Sequence, residues 1–241
     1  MAYGFYRDEE AVLPHKPIPL AMFLIVEEAL RFSWQRLKSH ANPRIDIRTA
    51  DEDEVTHNLF EMIFDEVFDK GLVDGFDEEH FSVVTRETKL RNYNGAHLDK
   101  MPDLMVRVAG RTTSDFHHRS QDWLFIECKP VDADHTVGVH YGAKGIARFI
   151  PGDYAWTMTS ALMVGYASSR YAIDPKLIET LQKRTKEFEV LEMPKACLMT
   201  AHQTNCNAPV YSTIHRRTFS YAENNNVAPP IQIRHLWLTR S

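Results

Sequence analysis

The stretch WLFIECKPV at residues 123–131 constrains this chain more than any other. A short apolar run rich in aromatic and branched residues, closed by Pro130, reads as a strand inside a packed sheet. Strand side chains alternate, so Leu124, Ile126 and Cys128 share one face, while Trp123, Phe125, Glu127 and Lys129 share the other. A carboxylate and an ammonium thus stand together on a strand that should be buried. Isolated charges are costly to bury, so such a pair requires partners, a metal or a wet cleft.

The surrounding pattern supplies the frame. Residues 20–38 read as a helix with Met22, Val26, Ala29, Ser33 and Leu37 along one stripe. A second helix is expected at about 51–69, with Asp51 or Asp53 as its cap and Val55, Leu59, Met62, Ile63 and Val67 as its apolar face. Three strands follow at 81–87, 103–109 and 123–131, then a helix at about 137–149 and a buried strand at 160–167. Further on, 174–188 reads as an amphipathic helix, and 209–216 and 231–238 as strands. Three strands joined by hairpins and followed by a crossover helix predict an α/β fold, a mixed sheet flanked by helices. We expect a single domain with its core at about 51–167, an N-terminal helical extension over 1–50 and a C-terminal α/β extension over 168–241.

Composition fits an ordinary globular chain, with 44% apolar and 25% charged residues. The run LAMFLIV at 20–26 is too short to span a bilayer, and the opening residues lack the layout of a secretory signal, so no membrane partner is expected. Cys128, Cys197 and Cys206 do not make a disulfide framework, which points to a reducing, cytoplasmic setting. The net charge of −5 is unevenly spread: residues 51–80 hold twelve acids against Lys70, a net −11, so the remainder carries +6. That remainder is compatible with a surface that tracks phosphates.

The chemistry sits where two strands meet. If 103–109 and 123–129 pair as a hairpin, Asp103, just after Pro102, lies beside Glu127 and Lys129. Two carboxylates brought together repel, and a hard divalent cation relieves them; a site this sparse suits Mg²⁺ with waters and phosphate oxygens. The pattern is that of metal-assisted phosphodiester hydrolysis.

The order PD (102–103), hairpin, E-C-K (127–129), framed by helices over about 51–167, resembles the PD-(D/E)xK nuclease superfamily, the restriction-endonuclease-like fold with its α-β-β-β-α-β core. The resemblance implies a DNA-cutting nuclease that uses Mg²⁺, with Mn²⁺ as a substitute. It implies metal ligation by Asp103, Glu127 and the backbone carbonyl of Cys128, and a water-positioning role for Lys129. Many members add an acid from the preceding helix. The candidates are Glu54 and Glu61, seven residues apart and so within about 20° on one face; Glu54, at the helix start, is the expected one. The helix after the motif strand often faces the site in relatives. Here it offers His140, Tyr141, Lys144 and Arg148 as substrate-binding groups, the last two as i,i+4 neighbours.

DNA is expected rather than RNA, with either a homodimer or a targeting or motor partner, since no nucleotide-binding phosphate loop is present. By analogy with the family, a restriction or phage-defence effector fits. The competing reading is a catalytically silent nuclease-fold binding or assembly module. Cys197, His202 and Cys206 lack a convincing fourth zinc ligand, and His117 and His118 read as loop histidines.

Overall fold

A computed structural model describes residues 13–39, 45–111, 118–197 and 208–240. Among these residues seven strands form one mixed sheet: β1 Phe81–Arg86, β2 Leu104–Val108, β3 Leu124–Val131, β4 Ser160–Ala167, β5 Val190–Ala196, β6 Val210–His215 and β7 Ile231–Thr239. Their spatial order is β1-β2-β3-β4-β7-β6-β5. The hairpin pairs β1–β2 and β2–β3 are antiparallel, β3–β4 and β4–β7 are parallel, and β7–β6 and β6–β5 are antiparallel again. The parallel trio is the driest part, with every residue of β3 and β4 buried, as near-continuous apolar runs require.

Helices cover both faces. Helix α1 (Leu20–Ser39) and helix α2 (Glu52–Glu61) lie on one. Trp34 of α1 stacks on Tyr166 of β4 with ring centroids 5.4 Å apart, and Thr56 of α2 hydrogen-bonds the Tyr166 hydroxyl at 3.0 Å. Deeper in, Glu27 of α1 takes a two-pronged ion pair from Arg234 of β7, at 2.5 and 3.0 Å, with both groups buried. On the other face lies the connection from β3 to β4. It is a π-helical turn over Val137–Ala143, a break at Gly145 and a 3-10 turn over Ile146–Arg148. A Cβ on Gly145 would come within 2.5 Å of both Met163 Cε and the carbonyl of Tyr141, so this segment can lie against the sheet only with glycine there. Helix α3 (Ile173–Lys183) follows β4. Among the described residues no helix is long and apolar enough to cross a membrane.

The expected strands and their order are met, including 160–167 to the residue. Two expectations are corrected. The helix at 51–69 changes after Glu61 into a π-helical segment, Met62–Phe68. The helix at 137–149 is not one α-helix but the two tight turns just described. The C-terminal α/β extension continues the same sheet: β7 joins it beside β4, and β6 and β5 carry it to the far edge. Strand β5 escaped the sequence reading because Glu192, Pro194 and Lys195 break its apolar pattern, a composition suited to a guarded edge.

A chain of polar groups crosses the core on the α3 side. His215 Nδ1 meets the carbonyl of Phe188 at 2.6 Å, and His215 Nε2 meets Thr213 Oγ1 at 2.7 Å. Thr213 Oγ1 meets His235 Nε2 at 2.8 Å, and His235 Nδ1 meets the Tyr141 hydroxyl at 3.0 Å. With both imidazoles kept neutral by burial, the Phe188 carbonyl, which only accepts, sets the direction: His215 donates to Phe188, Thr213 to His215, His235 to Thr213, and Tyr141 to His235, with the Met163 carbonyl, 3.3 Å from the Tyr141 hydroxyl, as its competitor. Burial lowers the pKa of His215 to about 4 and carries His235 well below its ordinary value. A base whose folded pKa is depressed contributes stability above its unfolded pKa that is lost as pH falls. Stability should thus decline between about pH 6.5 and pH 4, His215 accounting for about 3 kcal/mol of it. Urea unfolding at pH 7 and pH 5 tests this. A pH slope unchanged in a folded His215→Gln variant would remove His215 from the account.

Candidate active site

The hairpin register brings the motif together. Leu104 pairs with Ile126, so Asp103, one residue before β2, faces Glu127 across the antiparallel pair. Asp103 Oδ2 accepts the backbone N–H of Cys128 at 2.6 Å, which ties the carboxylate to β3. Cys128 itself points into the core as a fully buried thiol, and its carbonyl accepts Lys129 Nζ at 2.7 Å.

Lys129 is the hub. Its ammonium lies 2.5 Å from Glu52 Oε1, 3.0 Å from Glu127 Oε1 and 3.3 Å from Asp103 Oδ2. Three carboxyl groups from three separate elements thus converge on one cation. Burial alone would lower the lysine pKa, but Glu127, Asp103 and Glu52 outweigh it and hold the ammonium charged well above the usual range. Glu127 is the least exposed of the acids, at 3%. Burial, reinforced by Asp103, pushes its pKa up to about 8 against the pull of Lys129 and Arg148. Burial also raises Glu52, with Lys129 opposing. Glu127 Oε2 is buried and has no hydrogen-bond partner among the described residues.

The acid that α2 brings to Lys129 is Glu52, not Glu54 or Glu61. Glu54 is exposed; its backbone N–H donates at 2.8 Å to the capping carboxylate of Asp51 and its carbonyl accepts Asn58 Nδ2 at 2.9 Å. Glu61 pairs with His57 at 3.2 Å on the solvent side. The reason is helical spacing. The face that packs inward carries Val55, Thr56 and Leu59, and one turn back along that face is residue 52. Extending the apolar stripe towards the N-terminus would have found it.

The second expected cluster divides. Tyr141 is fully buried and belongs to the histidine chain, so it does not face the carboxylates. His140 packs edge-on against His135, ring centroids 4.9 Å apart, beside Asp132. Lys144 is exposed, and the break at Gly145 takes it off the regular i,i+4 relation to Arg148. Arg148 alone acts on the site: its charge lowers the pKa of Glu127, and its guanidinium sits 5.8 Å over the ring of Tyr154. Tyr154 itself went unnoticed in the sequence, where it lies in an irregular loop with no periodic signal.

Among the described residues no three His, Cys, Asp or Glu side chains already surround a single metal-sized point; the Lys129 ammonium sits between the three carboxylates. The donor chemistry nonetheless fits a hard divalent ion. The carboxyl groups outnumber the one cation they contact, and the buried Glu127 Oε2 is a free oxygen donor. Glu52→Ala should weaken Mn²⁺ binding about tenfold and Glu54→Ala should leave it unchanged. Calorimetric titration of the two variants separates them, and equal effects would return the helix acid to an open question.

No family model matches the chain, and neither a curated protein nor a solved structure matches it.

Proposed function

We propose that this chain is a Mg²⁺-dependent nuclease of the PD-(D/E)xK type that hydrolyses phosphodiester bonds in DNA, with Mn²⁺ able to replace Mg²⁺. One observation carries the reading: Glu52, Asp103 and Glu127, from α2, the start of β2 and the middle of β3, converge with Lys129 in the element order the motif requires. Asp103, Glu127 and the Cys128 carbonyl would hold the ion, with Glu52 as the helix acid. When bound, the ion supplies a polarised water and neutralises charge building on the phosphodiester.

The protein's own groups do the rest. Lys129, charged throughout the physiological range, orients the water and offsets negative charge in the transition state. Arg148, beside Glu127, contacts the backbone phosphate, and the exposed Lys144 extends that contact along the strand. The restriction-endonuclease-like classification, a cytoplasmic setting, a restriction or phage-defence role, and a homodimeric or partner-targeted form belong to this same proposal.

The three ion pairs of Lys129 also favour a second reading, a silent binding module in which the lysine merely neutralises buried acids. Incubation of the full chain with supercoiled plasmid, linear duplex and single-stranded DNA in Mg²⁺, Mn²⁺ or EDTA decides between them. Cutting that EDTA stops supports the nuclease. A folded protein that binds neither metal nor DNA leaves the silent module.

A further inference from the structure

The loop between Arg148 and β4 touches the segment that leads through Asp103 into β2 at two consecutive residues. Asp153 pairs with Lys100 at 2.9 Å, and the hydroxyl of the adjacent Tyr154 donates to the carbonyl of Met101 at 2.8 Å. Residues 100 and 101 lead directly into Pro102 and Asp103. Two neighbouring loop residues thus grip the two residues that set where the Asp103 backbone begins.

The loop is itself anchored from far along the chain. Arg217, just beyond β6 and 2% exposed, spreads its guanidinium over backbone carbonyls: Trp156 at 2.9 Å, Ala155 at 3.1 Å, and Met158. Thr218 N–H bonds the carbonyl of Ile150 at 3.1 Å, and Tyr93 N–H bonds that of Gly152 at 3.0 Å. A second small core, Trp156, Phe219, Tyr221 and Ala228, packs beneath, separate from the main one. Its Phe219 lies so close to Gly152 that a Cβ there would come within 2.9 Å of the ring. A buried arginine whose hydrogen bonds all go to loop carbonyls, with its guanidinium 5.5 Å over the Phe219 ring, costs desolvation, which suits a device for fixing one loop conformation.

We propose that Tyr154 and Asp153 are positioning residues for the Asp103 carboxylate. The second small core and Arg217 form a platform that holds the loop, the loop holds Lys100 and Met101, and these fix the angle at which Asp103 meets Cys128 N–H and the metal-binding position. The inference rests on the nuclease reading for its consequence in metal binding, but its geometry is independent of that reading. Neither residue touches the carboxylates through a hydrogen bond or an ion pair; they act through the 100–103 segment.

The test uses the full chain with Tyr154→Phe, which removes only the hydroxyl, Lys100→Met, and Lys100→Arg as the conservative rescue. A core control, Leu177→Ala in α3, is destabilised without touching the loop. The first readout is the Cys128 amide proton by NMR without metal, because this N–H donates to Asp103 Oδ2 at 2.6 Å. It should move upfield in Tyr154→Phe and Lys100→Met, return in Lys100→Arg and stay put in Leu177→Ala. The second readout is Mn²⁺ affinity, expected to fall about tenfold in the first two variants only. A Cys128 resonance unmoved in both Tyr154→Phe and Lys100→Met, or moved equally by Leu177→Ala, overturns the proposal. If the wild type takes up no Mn²⁺, the nuclease reading fails, while the Cys128 resonance still decides whether Tyr154 and Asp153 position Asp103.

Discussion

Lys129→Ala should reduce metal-dependent cleavage about a thousandfold, because the group proposed to orient the water and offset transition-state charge is removed. It should do so without abolishing metal binding, since Asp103, Glu127, Glu52 and the Cys128 carbonyl all remain, and the ammonium that competes for them is gone. Metal-free, the variant should be less stable than wild type by about 3 kcal/mol in mildly alkaline buffer, where the buried acids are ionised and lack their counter-charge. Bound metal should restore most of that difference. Thermal unfolding with and without Mn²⁺, alongside plasmid cleavage, reads both effects. If Lys129→Ala cuts DNA like the wild type, the role assigned to the lysine is wrong.

Glu127→Gln should have the opposite effect on the metal-free protein. The wild-type carboxyl has its pKa raised from 4.5 to about 8. An acid raised by folding favours the native state below its unfolded pKa, and that contribution is lost as pH rises towards the folded value. The metal-free protein should therefore lose stability between about pH 4.5 and pH 8, by up to about 5 kcal/mol. Glutamine, neutral throughout, should flatten that slope. The same shift makes uptake of a divalent ion release close to one proton per ion at pH 7, a release that the glutamine variant lacks. Calorimetry in two buffers of different ionisation enthalpy measures it. Stability that falls just as steeply in Glu127→Gln would show that Glu127 is not the group responsible.

Much of this was legible in the sequence, and the reason is local. Strands such as 123–131 and 160–167 are buried on both faces, so their apolar runs are unbroken and their ends sharp. The PD and ExK residues could be placed beside each other because a hairpin register follows from alternation alone. What could not be read depended on contacts distant in sequence or on irregular backbone. Glu52 stood among twelve acids in thirty residues, and only the direction of the Val55–Leu59 face distinguishes it. Tyr141 looked like a site residue because it is polar and near the motif; its partner is His235, 94 positions away. The helix expected over 137–149 has the right residues, but glycine at 138, 142 and 145 lets it tighten and break against Met163 and Phe188. The zinc-like Cys197, His202 and Cys206 spacing lies largely outside the described residues, as does His117; His118 pairs with Glu223 at 2.7 Å.

The order of strands has a consequence for synthesis. β4 stands between β3 and β7, and β7 occupies residues 231–239. A growing chain can form the β1–β2–β3 hairpins early, and with them the meeting of Asp103 and Glu127. It cannot cover the second edge of β4, or pair Glu27 with Arg234, until β7 has left the ribosome. At the usual pace of translation the hairpin that carries Asp103 and Glu127 precedes its supporting sheet by about several seconds. For a protein proposed to cut DNA, that delay separates the meeting of the two carboxylates from the acquisition of a rigid site around them.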